Sequence, residues 1–421
     1  MAHPSRIIEG NSRLLIRRHP TLIVAIFALS LSVTALDRNL LAAVWPILQT
    51  QLHLTTGQYG ITVAGFSIAY GLCAPLSGLL VDRFGFTRVA VIALALWSIC
   101  GIATAFASSF HALLLCRILL GCAESASLPA VAKAYVTYLS PPERSMGTAA
   151  TQIALTIGAV GATLMAGGLT ARYGWQSTFL VAGILGLLWI PLWLLMSTTR
   201  HNKVKIFPSE RTPIKVGRLL RELGLWALII ASLLLMPLYS LWTNWTTVYL
   251  VRERGLSATA ANLHFAWIPP ILAMLGGISG GWFAMHNARN GTPVQNARFN
   301  VCFWAALGLL LTATIPILPS AAWATVAIGM SFFCTLCISV NIYAMALDLF
   351  GTSHASFVFS LLTASYGLMQ TVISPLIGSW VNHHSFNAIC FLGALSPLCG
   401  VAILYGAIFR RMGPELTAQT G

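Results

Sequence analysis

Long apolar runs separated by short polar connectors dominate the chain. A helix needs about 20 mostly apolar residues to cross a bilayer. Twelve segments reach that length, at about 21–48, 57–80, 88–107, 112–139, 146–170, 175–197, 225–251, 262–285, 298–317, 321–347, 355–381 and 386–409. The pattern predicts an all-α polytopic membrane protein. Its grouping divides the chain into a tail (1–19), a first bundle of six spans (20–197), a basic linker (198–224), a second bundle of six (225–410) and a final tail (411–421). The first span is too long for a signal-peptide core and has no small-residue cleavage site, so it is expected to be retained. Small-residue stretches, GAVGATLMAGG at 158–168 and LGGISGGW at 275–282, suit close helix packing in lipid.

Composition agrees with this pattern. The 421 residues are 57% hydrophobic and 8% charged, whereas soluble domains are about 25% charged. The net charge of +14 invites a nucleic-acid reading, but the positions of the charges argue against it. With both termini inside, the inner segments hold Arg83, Arg88, Arg144, the linker cluster from Arg200 to Arg221, Arg289, Arg298, Arg410 and Arg411. The outer connectors hold only Arg172, Arg252 and Arg254. That asymmetry follows the positive-inside rule and predicts cytoplasmic termini in a bacterial inner membrane. No connector is long enough to house an enzyme. The histidines His264, His286, His354, His383 and His384 stand apart, without metal-ligand partners. Cys334 and Cys337 are spaced CxxC in an apolar helix with no second pair, which reads as core. No metal and no cofactor is expected, and protons would be the coupling ion.

The informative residues are the few charges inside spans: Asp37 and Arg38 in span 1, Arg117, Glu124 and Lys133 in span 4, and Asp348 near the end of span 10. A charge at bilayer depth is costly unless it is paired or wet. Arg117 and Glu124 are seven residues apart, on nearly one helix face and about 10 Å apart along the axis. They form either a buried structural pair or one wall of a water-accessible path. Asp37 and Arg38 are adjacent and diverge by about 100°, so Arg38 can face a cavity while Asp37 faces a neighbouring helix. Arginine binds a carboxylate through two parallel hydrogen bonds, and intramembrane acids mark proton relays in transporters. The set suits proton-coupled anion transport, although two helix-locking pairs would use the same residues. Lys133 lies toward the inner end of its span and is expected to snorkel to the interface.

Polar and aromatic candidates surround these charges. Tyr70 in span 2 could offer a hydroxyl, and Gln152 in span 5 is either a helix–helix hydrogen bond or a ligand to substrate. In span 7, Tyr239, Trp242, Asn244 and Trp245 cluster near the middle, where aromatic faces and one amide suit a sugar-like ligand or simply pack. Asn341, Tyr343, Ser365, Tyr366 and Gln370 are weaker candidates of the same kind.

The connector between spans 2 and 3 reads GLLVDRFGFTR at 78–88. It resembles the GxxxDRxGRR loop of the major facilitator superfamily, with Gly78, Asp82, Arg83, Gly85 and Arg88 in matching places and Phe86 where an Arg is usual. The equivalent stretch GWFAMHN at 281–287 has no Asp-Arg, so a weaker latch is expected there. Within that superfamily the chain resembles the anion:cation symporters, which include bacterial hexuronate, galactonate and glucarate transporters and mammalian vesicular glutamate and sialic acid carriers. LDRNLLAAVWPIL at 36–48, RILLGCAESASLPA at 117–130 and SPPERSMGTA at 140–149 carry the likeness. It implies the major facilitator fold, twelve transmembrane helices in two six-helix bundles working by alternating access around a central site. It further implies Asp37 and Glu124 as proton-coupling acids, Arg38 and Arg117 as anion-facing arginines, and Tyr70 and Gln152 on the substrate side.

The second half departs from the family. Ala364 stands where an Asn is common, and Tyr343 where many relatives have Trp. The expected function is proton-driven uptake of a small organic anion, a sugar acid, by a monomer embedded in membrane lipid. Alternatives are an efflux antiporter and a transporter-shaped sensor. Two intramembrane arginines argue against cationic substrates, and the sensor reading lacks a signalling domain to support it.

Overall fold

The computed structural model describes residues 20–138, 144–198 and 219–406. The expected tails (1–19, 411–421) and nearly all of the basic linker lie outside the described residues. The described residues are helical, without strands. In chain order the helices are α1 (Pro20–Gln51), α2 (Thr56–Phe84), α3 (Phe86–Thr104), α4 (Phe110–Glu124), α5 (Ser127–Tyr138), α6 (Arg144–Tyr173), α7 (Trp175–Thr198), α8 (Leu223–Arg254), α9 (Ala258–His264), α10 (Ile268–Arg289), α11 (Val294–Gly308), α12 (Ala321–His383) and α13 (Asn387–Leu404), with a 3₁₀ stretch at Leu309–Ile317. Eleven helical stretches among the described residues are long and apolar enough to cross a membrane.

Two spans expected to be single helices are broken, each at a proline. Span 4 is α4 and α5 with a turn at Ser125–Ala126. Pro129, four residues on, has no N–H for the Ser125 carbonyl and its ring crowds it. Span 8 is α9 and α10 with turns at 265–267. There Pro269 and Pro270 remove two successive helical donors.

Spans 10 and 11 show the opposite difference. Helical backbone runs without interruption through the connector expected between them, giving the 63 residues of α12. This is not one rod. The Tyr239 ring contacts both Phe332 and Tyr366, at centroid distances of 5.3 and 5.6 Å. Those two partners would be about 51 Å apart on a straight helix. The chain therefore reverses and α12 forms two arms lying side by side.

The contacts form two compact units: Met1–Val44 with Ile68–Phe207, and Trp45–Ser67 with Pro208–Gly421. In the first unit, Gly158 of α6 leans on the backbone of Ser32 and Leu36 in α1, and Gly183 and Gly186 of α7 pack against Ser98 of α3. A single residue, Gly85, reverses the chain between α2 and α3 at φ +85°, a left-handed conformation suited to glycine.

In the second unit, Gly276 and Gly280 of α10 lie against Phe333 and Cys337 of the first arm of α12. Across this seam Asn341 Nδ2 donates to the Gly280 carbonyl at 3.1 Å and the Cys337 thiol to the Gly276 carbonyl at 3.0 Å. Cys334 and Cys337 are buried, and the described residues hold no group of ligands fit for a metal. Arg254 pins the 3₁₀ stretch by donating to the carbonyls of Ile315, Pro316 and Leu318. Where the Asp-Arg motif is missing, Arg298 at the start of α11 pairs with Asp348, Nε to Oδ2 at 2.6 Å.

The turn joining α1 and α2 belongs to this second unit. Trp45 stacks on Tyr59 at 4.6 Å, and Tyr59 meets the edge of Trp245 at 4.8 Å. The Tyr59 hydroxyl donates to the Asn244 carbonyl, and the Thr56 amide to Asn382 Oδ1. Gly60 lies so close to Ser374 and Pro375 that a Cβ would overlap their backbone. Gly71 in the same helix has open space beside it. Gly60→Ala is therefore expected to lower thermal stability in detergent by about 1–3 kcal/mol through overpacking. Gly71→Ala should leave it unchanged or slightly raised, and a thermal melt of the purified variants compares the two.

Candidate functional site

The charged residues of spans 1 and 4 meet inside the first unit, in a pairing that crosses between helices. Arg38 of α1 donates to Glu124 Oε2 at the end of α4 from Nη2 at 3.0 Å and from Nε at 3.3 Å. Glu124 is fully buried, while the Arg38 side chain keeps 36% exposure. The guanidinium also lies over the Tyr70 ring of α2, 4.8 Å from its centroid. Arg117 does not pair with Glu124 along its own helix. It reaches across to α1, where Nη1 donates to the Asp37 backbone carbonyl at 3.3 Å, and it sits 5.1 Å over the Phe179 ring. The seven-residue spacing on α4 thus gives two arms that each engage α1.

Asp37 is buried, and neither carboxyl oxygen has a hydrogen-bond partner among the described residues. Glu124 and Arg117 are its electrostatic neighbours. Glu124 Oε1 likewise has no partner among the described residues. Buried polar atoms are seldom left so, and both carboxyls have acceptor positions open to a proton or a ligand.

The helix break falls directly after Glu124. Ser125 Oγ bonds Ser77 Oγ of α2 at 2.6 Å, and Ser127 Oγ donates to the Glu124 carbonyl at 2.7 Å. Ser127 Oγ, together with Ser125 Oγ donating to the Cys122 carbonyl at 2.7 Å, satisfies carbonyls that an unbroken helix would have paired. Interrupted helices recur at ion and substrate sites of transporters because they free backbone groups near the ligand. The residues that hold the break, Ser77, Ser125 and Pro129, together with Phe179, are absent from the expected set. Pro129 alone carried a signal in the sequence.

The remaining candidates scatter. Gln152 is exposed on α6, where its backbone carbonyl accepts from Thr156 Oγ1 at 3.1 Å. Lys133 is exposed on α5. Arg83 and Arg88 flank the Gly85 reversal and are exposed, Arg83 lying over Phe84. Gly78 has open space around it, and the Asp82 side chain lies outside the described residues.

In the second unit Trp242 is core. It is 2% exposed, its indole N–H donates to Ser331 Oγ at 3.0 Å, and its ring meets Tyr249. Trp242 is thus packed and hydrogen-bonded within the second unit. Trp245, fully buried between Tyr59 and Phe386, is packing as well. The Asn244 amide donates to the Ser240 carbonyl at 2.9 Å. Tyr343 is half-buried on the first arm of α12, and Gln370 is buried on the second.

The fold and this cluster define a membrane carrier. Residues 27–345 match the Major Facilitator Superfamily, and the chain belongs to that family. It is 24% identical to the hexuronate transporter of Escherichia coli K12, over 94% of this chain and 96% of that one. It is 30% identical to the galacturonate transporter of Dickeya chrysanthemi, over 59% of this chain and 77% of that one. Among solved structures it resembles a bacterial homologue of the human lysosomal transporter Spinster, with a TM-score of 0.72 at 17% identity, over 92% and 96% of the two chains.

Removing one partner of a buried ion pair leaves the other charge stranded. Arg38→Gln should therefore destabilise the protein by about 2–3 kcal/mol, somewhat less than for a fully buried pair because Arg38 is partly exposed. The double variant Arg38→Gln/Glu124→Gln should recover part of that loss. Thermal unfolding of both single variants, the double variant and the parent closes the cycle.

Proposed function

We propose that this protein carries a sugar acid, such as a hexuronate, galactonate or glucarate, together with protons into the cell across the bacterial inner membrane. The observation that carries the reading is the Arg38–Glu124 pair. The guanidinium best suited to hold a substrate carboxylate is already held by an acid. Both carboxylates compete for the same donors. When Glu124 takes a proton, its charge-assisted bonds to Arg38 weaken to ordinary ones, and the fork is released to the substrate carboxylate. Loss of that proton on the far side restores the pair and expels the anion.

Arg38 is suited to this exchange because it stays charged at any physiological pH and keeps part of its surface exposed. The Tyr70 ring beneath it fixes the guanidinium in one plane. Asp37, with its unengaged carboxyl, serves as a second proton-carrying group. Arg117 holds the α1 backbone beside Asp37 and adds positive potential. The names of the relatives favour a sugar acid over other organic anions. The cytoplasmic placement of the termini rests on the distribution of Lys and Arg among the connectors, and the inward direction on symport with protons that enter down their gradient.

Uptake of labelled glucuronate, galacturonate, galactonate and glucarate into proteoliposomes with an imposed inward pH gradient tests the reading. Accumulation of at least one of them, collapsing on addition of a protonophore, is expected. In the same vesicles Glu124→Gln should abolish gradient-driven accumulation yet retain exchange of labelled for unlabelled substrate. A Glu124→Gln variant that still accumulates substrate removes Glu124 from the coupling step.

A further inference from the structure

Within the first unit, three glycines lie where α3 and α7 approach each other, and packing requires only two of them. A Cβ at Gly183 of α7 would overlap Ile102 at 2.5 Å and the Ser98 carbonyl at 2.8 Å, and one at Gly186 would overlap Ser98 Oγ. Those two let the helices come close. Gly101 of α3 is buried as well, yet a Cβ there would meet nothing nearer than Asp37 Oδ1 and Gly183 Cα, both at 3.9 Å. That is an ordinary contact. A glycine inside a helix costs about 0.5–1 kcal/mol relative to alanine, and sterics do not account for it at this position.

The side-chain atom nearest that methyl-sized space is one that lacks a partner. Asp37 is 2% exposed, and neither of its carboxyl oxygens is hydrogen-bonded among the described residues. The charged groups around it are Glu124 and Arg117 of α4, with Arg38 held on Glu124 and Tyr70 of α2 beneath it. On α3 Cys100 adjoins Gly101, α6 carries titratable side chains only at its ends, and α7 carries none. None of these groups hydrogen-bonds the Asp37 carboxyl. A helical Cβ points back toward the preceding turn, so the space at Gly101 also borders the Ser98 carbonyl, which keeps a second lone pair beyond its helical bond.

We propose that Gly101 is a positioning residue whose missing side chain holds one water molecule against the Asp37 carboxyl; this rests on the reading of Asp37 as a proton-carrying group and deepens it. A water at this spot donates one hydrogen to Asp37 on α1 and the other to the Ser98 carbonyl on α3. When Asp37 carries a proton, its O–H donates to the same water in turn. Buried waters are held by about two to four such bonds, and the site supplies that number. The water gives the buried acid a neighbour that accepts its proton when it ionises and returns it when it reloads.

The test is infrared spectroscopy of the full-length protein in lipid, following the C=O stretch of protonated Asp37, identified as the band that Asp37→Asn removes. A carbonyl that accepts a hydrogen bond absorbs at lower frequency than a free one. Gly101→Ala puts a methyl in the place of the water and should move the band to higher frequency, with the melting temperature unchanged or slightly raised. Gly101→Ser, with the same Cβ and a hydroxyl, should return the band toward the parent frequency. Gly161→Ala, a methyl of equal size against Leu36 at 3.6 Å, should leave it in place. An alanine variant that melts with the parent and keeps the parent band overturns the proposal, as does one that is less stable than the parent, because the space is then not there. A serine variant shifted as far as the alanine one also overturns it. If Asp37→Asn removes no carboxyl band at any pH where the protein is folded, Asp37 takes no proton, and this proposal falls with that part of the coupling cycle. A protein that shows the expected shifts but takes up no sugar acid keeps the water site and loses the sugar-acid reading.

Discussion

A charge held in the apolar core of a helical bundle must find a partner, water or a proton, and this constraint organises the first unit. Glu124 is fully buried, and its hydrogen-bonded countercharge arrives from another helix as the Arg38 fork. Around that contact the chain makes its other accommodations. The helix stops at Ser125, the Ser125 and Ser127 hydroxyls donate to the Cys122 and Glu124 carbonyls, and Arg117 braces the neighbouring turn of α1. A purely structural pair of this kind is often no more stable than a well-packed apolar substitute. The proposed exchange of partners gives the pair a role that stability alone does not.

The second unit solves a different problem. It carries no buried carboxylate–guanidinium pair among its described residues, and its helices approach through glycine seams and aromatic contacts. Gly276 and Gly280 let α10 lie against the first arm of α12, and Arg254 holds the 3₁₀ stretch by its carbonyls.

Much of this was legible in the sequence because membrane insertion imposes strong patterns. Apolar runs located the spans, and an Arg or Glu within such a run marks itself by its cost. What the sequence did not decide was partnership. Arg117 and Glu124 have the right spacing to share a face, yet the nearer acceptors come from α1, and only tertiary packing sets that choice. Trp242 illustrates a related ambiguity. An indole in mid-span has the same sequence signature whether it meets a ligand or, as here, donates to Ser331. The helix break after Glu124 was readable from Pro129, whereas the reversal within α12 leaves no break in helical backbone and follows only from Tyr239 touching both arms.

The central claim is that substrate and Glu124 exchange places on Arg38, which makes anion binding inseparable from proton uptake. Proton uptake on substrate binding, followed with a pH indicator in weakly buffered detergent solution, tests this most directly. The account predicts protons taken up as galacturonate saturates the parent protein, and about one fewer per binding event in Glu124→Gln. Binding at full occupancy with no proton uptake by the parent, or with uptake undiminished in the variant, would contradict it.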